Sequence, residues 1–180
     1  MEFQEVIKAR QSVRSFNGEP VSAEVVEEMV LAAMEAPSWK NSQTSRYYCV
    51  TSENMVERVR SEVLPGFNQN STAKAPAFIV TTFKKNISGF NKNTGEPDNE
   101  VGNGWGAYDL GLHDMLLIAK GKELGVDTLI MGLRDEKVLT ELLSIPEDEQ
   151  IMSVIAVGYA TEGISAKPKR KSVDEIARFF

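Results

Sequence analysis

The chain has 180 residues, 42% of them hydrophobic and 26% charged, which suits one domain spanning 1–180 around one substantial core. Its net charge of -6 argues against nucleic-acid or membrane-surface binding, since both depend on a positive surface. No apolar run approaches the roughly 18 residues that cross a bilayer, and the N-terminus has neither a basic start nor an apolar signal core, so a cytoplasmic protein is expected.

Phe3, Val6 and Ile7 recur at helical spacing over 2–10. Ser22 is a suitable N-cap with Glu24 in the first turn, and Val25, Val26, Met29, Val30, Ala33 and Met34 give one apolar face to a helix running to Ala36, where Pro37 stops it. A loop, 37–45, leads to a strand at 46–51, a charged surface helix at 54–63 and a buried strand at 76–83. Cys49, in the apolar run Tyr47 to Val50, is expected in the core. Residues 84–104 are rich in Asn, Gly and Lys, lack apolar periodicity and exceed ordinary loop lengths, which predicts a lid or partly mobile insertion.

The longest helical pattern, 105–124, is apolar nearly all round and closed by Gly125 as the C′ residue. Strands at 126–131 and 152–159 flank a short helix at 136–143, and a basic tail, Lys167-Pro168-Lys169-Arg170-Lys171, precedes a last helix at 173–179. Strands separated by helices with short connections predict an α/β or α+β layer fold. A helix apolar on most sides needs cover on most sides, and a second copy of the chain is a reasonable source. The lone His113 and lone Cys49 supply no zinc ligand set. His113 and Asp114, as helix neighbours, point about 100° apart and make no acid–base pair.

Three segments carry candidate chemistry. Arg10-Gln11-Ser12-Val13-Arg14-Ser15-Phe16 brings two guanidinium groups and two hydroxyls together, and such groups match phosphate oxygens with planar forks and short directional bonds. The bland alternative is arginines at a helix C-terminus facing the dipole and solvent. The basic tail reads either as a second source of phosphate ligands or as a solvated chain end. The loop Pro37-Ser38-Trp39-Lys40-Asn41-Ser42-Gln43 is dense in amides and hydroxyls, which also suits a loop that only satisfies its own backbone.

Taken together, these segments resemble the nitroreductase family of FMN-dependent enzymes over nearly the whole chain. The family signature Arg-x-Ser-x-Arg-x-Phe is matched by Arg10, Ser12, Arg14 and Phe16, and Ala-Pro-Ser-x-x-Asn-x-Gln by Ala36, Pro37, Ser38, Asn41 and Gln43. Asn68 ahead of Ala75-Pro76, Met131-Gly132 after a buried strand, and Lys169-Arg170 before a closing helix are similar to further family features. The chain departs from the pattern at Thr44-Ser45, where the family has Pro-Trp, which leaves the substrate pocket's shape open.

The resemblance implies an α+β fold, a three-layer α/β/α sandwich with a mostly antiparallel central sheet, in an intertwined homodimer that binds FMN at the subunit interface. It implies that Arg10, Ser12, Lys169 and Arg170 hold the FMN phosphate, that Gln11 also belongs to the cofactor site, and that Arg14 and Asn68 lie near the pyrimidine end of the ring. Pro37, Ser38 and Asn41 would come from the partner, and Met131 and Gly132 would pass the ring. The implied activity is hydride transfer from NADH or NADPH through the flavin to an electron-poor acceptor such as a nitroaromatic or quinone, by alternating half-reactions. A fixed cation beside the flavin N1 edge stabilises the reduced, anionic ring, a role that suits Arg14, with Lys74 a weaker candidate. No G-x-G-x-x-G follows any predicted strand, so the choice of nicotinamide stays open. Non-catalytic flavin storage and the family's dehalogenating or flavin-fragmenting chemistries are the alternatives.

Overall fold

β-Branched and aromatic residues in Ala77–Lys84 build the strand around which the chain is organised. The structure, a computed structural model, describes residues 1–161 and 166–180. Its helices are α1 (Phe3–Ala9), α2 (Ala23–Met34), α3 (Glu53–Arg58), α4 (Gly66–Ser71), α5 (Gly104–Glu123), α6 (Glu136–Leu143) and α7 (Val173–Ile176). The strands are β1 (Ser45–Val50), β2 (Ala77–Lys84), β3 (Asp127–Met131) and β4 (Glu149–Gly158). Among the described residues they form one four-stranded sheet in the order β1-β2-β4-β3, with every neighbouring pair antiparallel.

Successive strand side chains face opposite ways, which gives the sheet two apolar faces. Ala77, Ile79, Ile155 and Val157 pack on one face against Val26, Met29 and Ala33 of α2 and Leu117 and Ile118 of α5. On the other, Phe78, Val80, Val154 and Ala156 pack against Val56 of α3, Val59 and Val63 of the widened π-helical turn that follows it, and Leu139 of α6. The result is the expected three-layer α/β/α arrangement of an α+β protein. α5 lies close to the sheet because Gly106 sits where a Cβ would collide with the Phe83 ring. Gly125, with φ 88°, ends α5 as a left-handed C′ residue.

Several boundaries differ from the sequence reading. The helix expected at 54–63 is α3 followed by the π-helical turn Val59–Val63, and α4 was not foreseen because Gly-Phe-Asn-Gln-Asn-Ser has no apolar period. The last helix is one turn, Val173–Ile176, leaving Phe179 and Phe180 exposed. Cys49 is exposed rather than in the core: it lies on β1, an edge strand, on the face shared with Ile79, beyond the cover of α2 and α5. No helix among the described residues is long and apolar enough to cross a membrane.

The apolar all-round pattern of α5 is only half satisfied within one chain. Leu110, His113, Leu117, Ile118 and Gly121 are buried, whereas Tyr108, Met115 and Leu116 remain exposed, as do Phe3 and Ile7 of α1 and Leu31 and Met34 of α2.

Candidate functional site

The segment after α1 is laid along the β3 edge of the sheet. Ser12 forms a parallel bridge with Thr128, Val13 N–H donates to the Thr128 carbonyl at 3.0 Å, and Asn17 N–H donates to the Tyr159 carbonyl at 2.9 Å. Val13 and Phe16 are buried in the core beneath, whereas Ser12, Arg14 and Ser15 are exposed, and Arg10 and Gln11 are half-buried at the end of α1.

The basic tail returns to the same place. Arg10, Gln11, Ser12 and Arg14 line a recess of about 130 Å³ together with Ala166, Lys167, Pro168 and Arg170. Lys167 Nζ donates to the Ile7 carbonyl at 3.1 Å, an acceptor left open at the C-terminus of α1, and this bond fixes the tail to the first helix. Partial desolvation and the like charges of Arg10 and Arg170 hold the Lys167 ammonium below the usual lysine range. Among the described residues no carboxylate lines the recess, so four cationic side chains converge without a counter-charge. Such a concentration of positive charge fits a dianionic phosphate, whose oxygens accept from guanidinium, ammonium and hydroxyl donors together.

Lys169, expected beside Arg170, is exposed and outside the recess, and Lys167 stands there instead. Both belong to the basic tail; the bond to Ile7, which fixes the choice between them, has no sequence signal. Arg14 lines the recess, whereas Asn68 is buried on α4, its Nδ2 donating to the Leu133 carbonyl at 3.4 Å. Asn68 thereby braces the turn after β3. In that turn Gly132 is exposed and its carbonyl accepts from Arg134 at 2.9 Å, while the Met131 side chain is buried in the core and leaves only its backbone for a ligand. Lys74 is exposed beside Gly18.

Pro37, Ser38 and Asn41 lie apart from the recess, on the loop after α2. Lys40, Asn41 and Gln43 all have positive φ, between 48° and 54°, a strained run for residues with side chains. The loop is pinned by Asp109, a buried residue of α5 that sequence reasoning missed, although an acid among the apolar positions of a helix was a signal. Asp109 Oδ2 accepts from Trp39 N–H at 2.9 Å and from the Ser88 hydroxyl at 2.5 Å. The Trp39 and Trp105 rings pack 4.6 Å apart, and Lys40 pairs with Asp98 at 2.8 Å. The expected lid, 84–104, is thus a series of hydrogen-bonded turns joined to the 37–45 loop by these contacts.

Along the same helix, Asp114 Oδ2 accepts from the Thr81 hydroxyl at 3.2 Å, and burial raises its carboxyl from 3.8 to about 7. The native state therefore holds this proton more tightly than the unfolded chain, and stability falls as pH rises from about 4 to about 7. Asp114→Asn is expected to raise the melting temperature at about pH 8 and to change it little at about pH 4. Thermal unfolding at both pH values checks this, and an equal shift at both would contradict it.

The sequence profile described as Nitroreductase family matches residues 7–159. A Bacillus subtilis protein named FMN reductase (NAD(P)H) is 27% identical, over 92% of this chain and 70% of its own. Ectopseudomonas oleovorans nitrobenzene nitroreductase is 22% identical, over 97% of this chain and 94% of its own. The crystal structure of a nitroreductase family protein from Streptococcus pneumoniae has the same fold, with a TM-score of 0.83 and 22% identity over 99% of this chain and 100% of its own. With the profile spanning from α1 through β4, the same fold in the solved relative and the Arg10 to Phe16 segment held against β3, this chain belongs to the nitroreductase family.

Proposed function

We propose that the chain is an FMN-dependent oxidoreductase that works as a homodimer and takes its reducing equivalents from NADH or NADPH. The observation that carries this reading is the recess in which Arg10, Ser12 and Arg14 meet Lys167 and Arg170 from the other end of the chain. Arg10 and Arg170 grip the cofactor phosphate with charged forks, Lys167 supplies a point charge, and Ser12 and Gln11 add directional bonds. At about 130 Å³ the recess accommodates a phosphate end only, since pockets for whole ligands of flavin size begin near 300 Å³. The rest of the site is completed by a second copy, whose Pro37, Ser38 and Asn41 reach over from a loop kept in shape by Asp109. The exposed apolar side chains Phe3 and Ile7 of α1, Leu31 of α2 and Tyr108, Met115 and Leu116 of α5 supply the dimer contact.

Bound FMN supplies the ring chemistry, accepting hydride from the nicotinamide and passing two electrons to an electron-poor acceptor such as a nitroaromatic or quinone. The chain supplies binding, orientation and charge, with Asn68 and Gly132 shaping the side of the site after β3 and 84–104 walling the acceptor space. Arg14, exposed at that recess, would supply the cation that stabilises the reduced, anionic ring and so sets its potential. Arg14→Gln is expected to lower the reduction potential of the bound flavin; weaker binding at an unchanged potential would put Arg14 on the phosphate instead.

Steady-state oxidation of NADH and of NADPH with menadione as acceptor tests the activity. Turnover with parallel double-reciprocal lines is expected, and a flavin-loaded protein that oxidises neither nicotinamide would overturn catalysis in favour of storage.

A further inference from the structure

A cavity of about 270 Å³ lies between α2, the start of β1 and the middle of α5, and no residue assigned above to the cofactor lines it. Val30 and Met34 of α2 form an apolar wall, and Ser45, Arg46, Tyr47 and His113 form a polar one. His113 is only 4% exposed, yet neither ring nitrogen has a protein partner, and the Tyr47 hydroxyl and the Ser45 Oγ are likewise buried and unpartnered. Each buried polar group left without a partner costs about 1–3 kcal/mol. Four such atoms from β1 and α5 around one cavity are therefore a costly arrangement unless something in the cavity bonds to them.

The chemistry of the walls defines what fits. Burial holds the His113 imidazole below its usual pKa, so it is neutral and offers one donor and one acceptor. The Tyr47 hydroxyl is kept protonated by burial and by the neighbouring Asp114 carboxyl, and so remains a donor. Arg46 spends Nη1 on the Gln43 and Ser45 carbonyls at 2.8 and 2.7 Å, which fixes the guanidinium and leaves its other nitrogens for an anion. A thioether and a valine opposite these groups suit the face of a flat ring. A cavity of about 150 Å³ admits benzene, so this one has room for a ring with two small substituents.

We propose that this cavity is a second ligand site, which binds a monocyclic aromatic acid with its ring against Val30 and Met34, its hydroxyl substituent at His113 and Tyr47, and its carboxylate at Arg46. The proposal stands on the cavity alone and does not depend on the flavin reading. The test is titration of the purified protein, with whatever flavin it carries, using 4-hydroxybenzoate as the probe, followed by calorimetry and by the flavin absorption spectrum. One probe per chain is expected, with no shift of the flavin bands. Tyr47→Phe should weaken binding about tenfold through the loss of one buried hydrogen bond. Ser45→Trp, which fills the space, should abolish it. Absence of binding at millimolar probe would overturn the proposal, as would binding that shifts the flavin bands or survives Tyr47→Phe at full strength. Should Ser45→Trp fail to fold, Tyr47→Phe alone decides.

Discussion

Arg10→Ala is expected to raise the dissociation constant for FMN by roughly 10- to 100-fold, the equivalent of one or more charge-assisted bonds to phosphate. Stability should stay within about 0.5 kcal/mol of wild type, because the Arg10 side chain is half-buried at the end of α1 and faces the recess rather than the core. The contrast between the two effects is the informative part. A structural arginine would lose stability and flavin together, whereas a phosphate ligand loses flavin alone. Fluorescence titration with FMN and thermal unfolding of the flavin-free protein measure the two quantities separately. Full affinity in the variant would remove Arg10 from the phosphate.

Asp109→Ala has the largest expected effect on the fold. It removes the shared acceptor of Trp39 N–H and the Ser88 hydroxyl, and Ser88 is itself buried. Two lost bonds and stranded donors cost about 3 kcal/mol, or roughly 6–12 °C in melting temperature for a chain of this size. Asp109→Asn keeps an amide oxygen where the carboxylate was, and should lose about 1 kcal/mol. Because Asp109 joins α5, the 37–45 loop and the 84–104 segment, the alanine variant should also weaken FMN binding from the partner's side. Thermal unfolding of the two variants decides; a melting temperature for Asp109→Ala within about 2 °C of wild type would show that the loop does not depend on it.

The regular elements were legible because their periodicities are strong. The run 77–83 is apolar and β-prone on both faces, and α2 and α5 carry long apolar patterns with a clear cap or stop. What escaped was set by tertiary context. Cys49 looks buried in its local sequence, but its exposure follows from β1 being an edge strand, which depends on the pairing order. Asn68 was singled out, yet the helix that carries it was not, since α4 holds its shape through packing and not through an apolar period. The basic tail was recognised as a unit, while the placement of Lys167 in the recess follows from its bond to Ile7, 160 residues away along the chain. The 84–104 segment has the composition of a mobile loop, and its contacts with Lys40 and Asp109 are long-range features without a local pattern.

The proposed site has cationic groups from both ends of the chain serving one phosphate, and comparing FMN with riboflavin, which lacks that phosphate, isolates their contribution. Wild-type protein is expected to bind FMN at least roughly 100-fold more tightly than riboflavin, and the ratio should collapse toward one when Arg10, Lys167 and Arg170 are replaced together by alanine. Equal affinity for the two flavins in the wild-type protein would contradict the account.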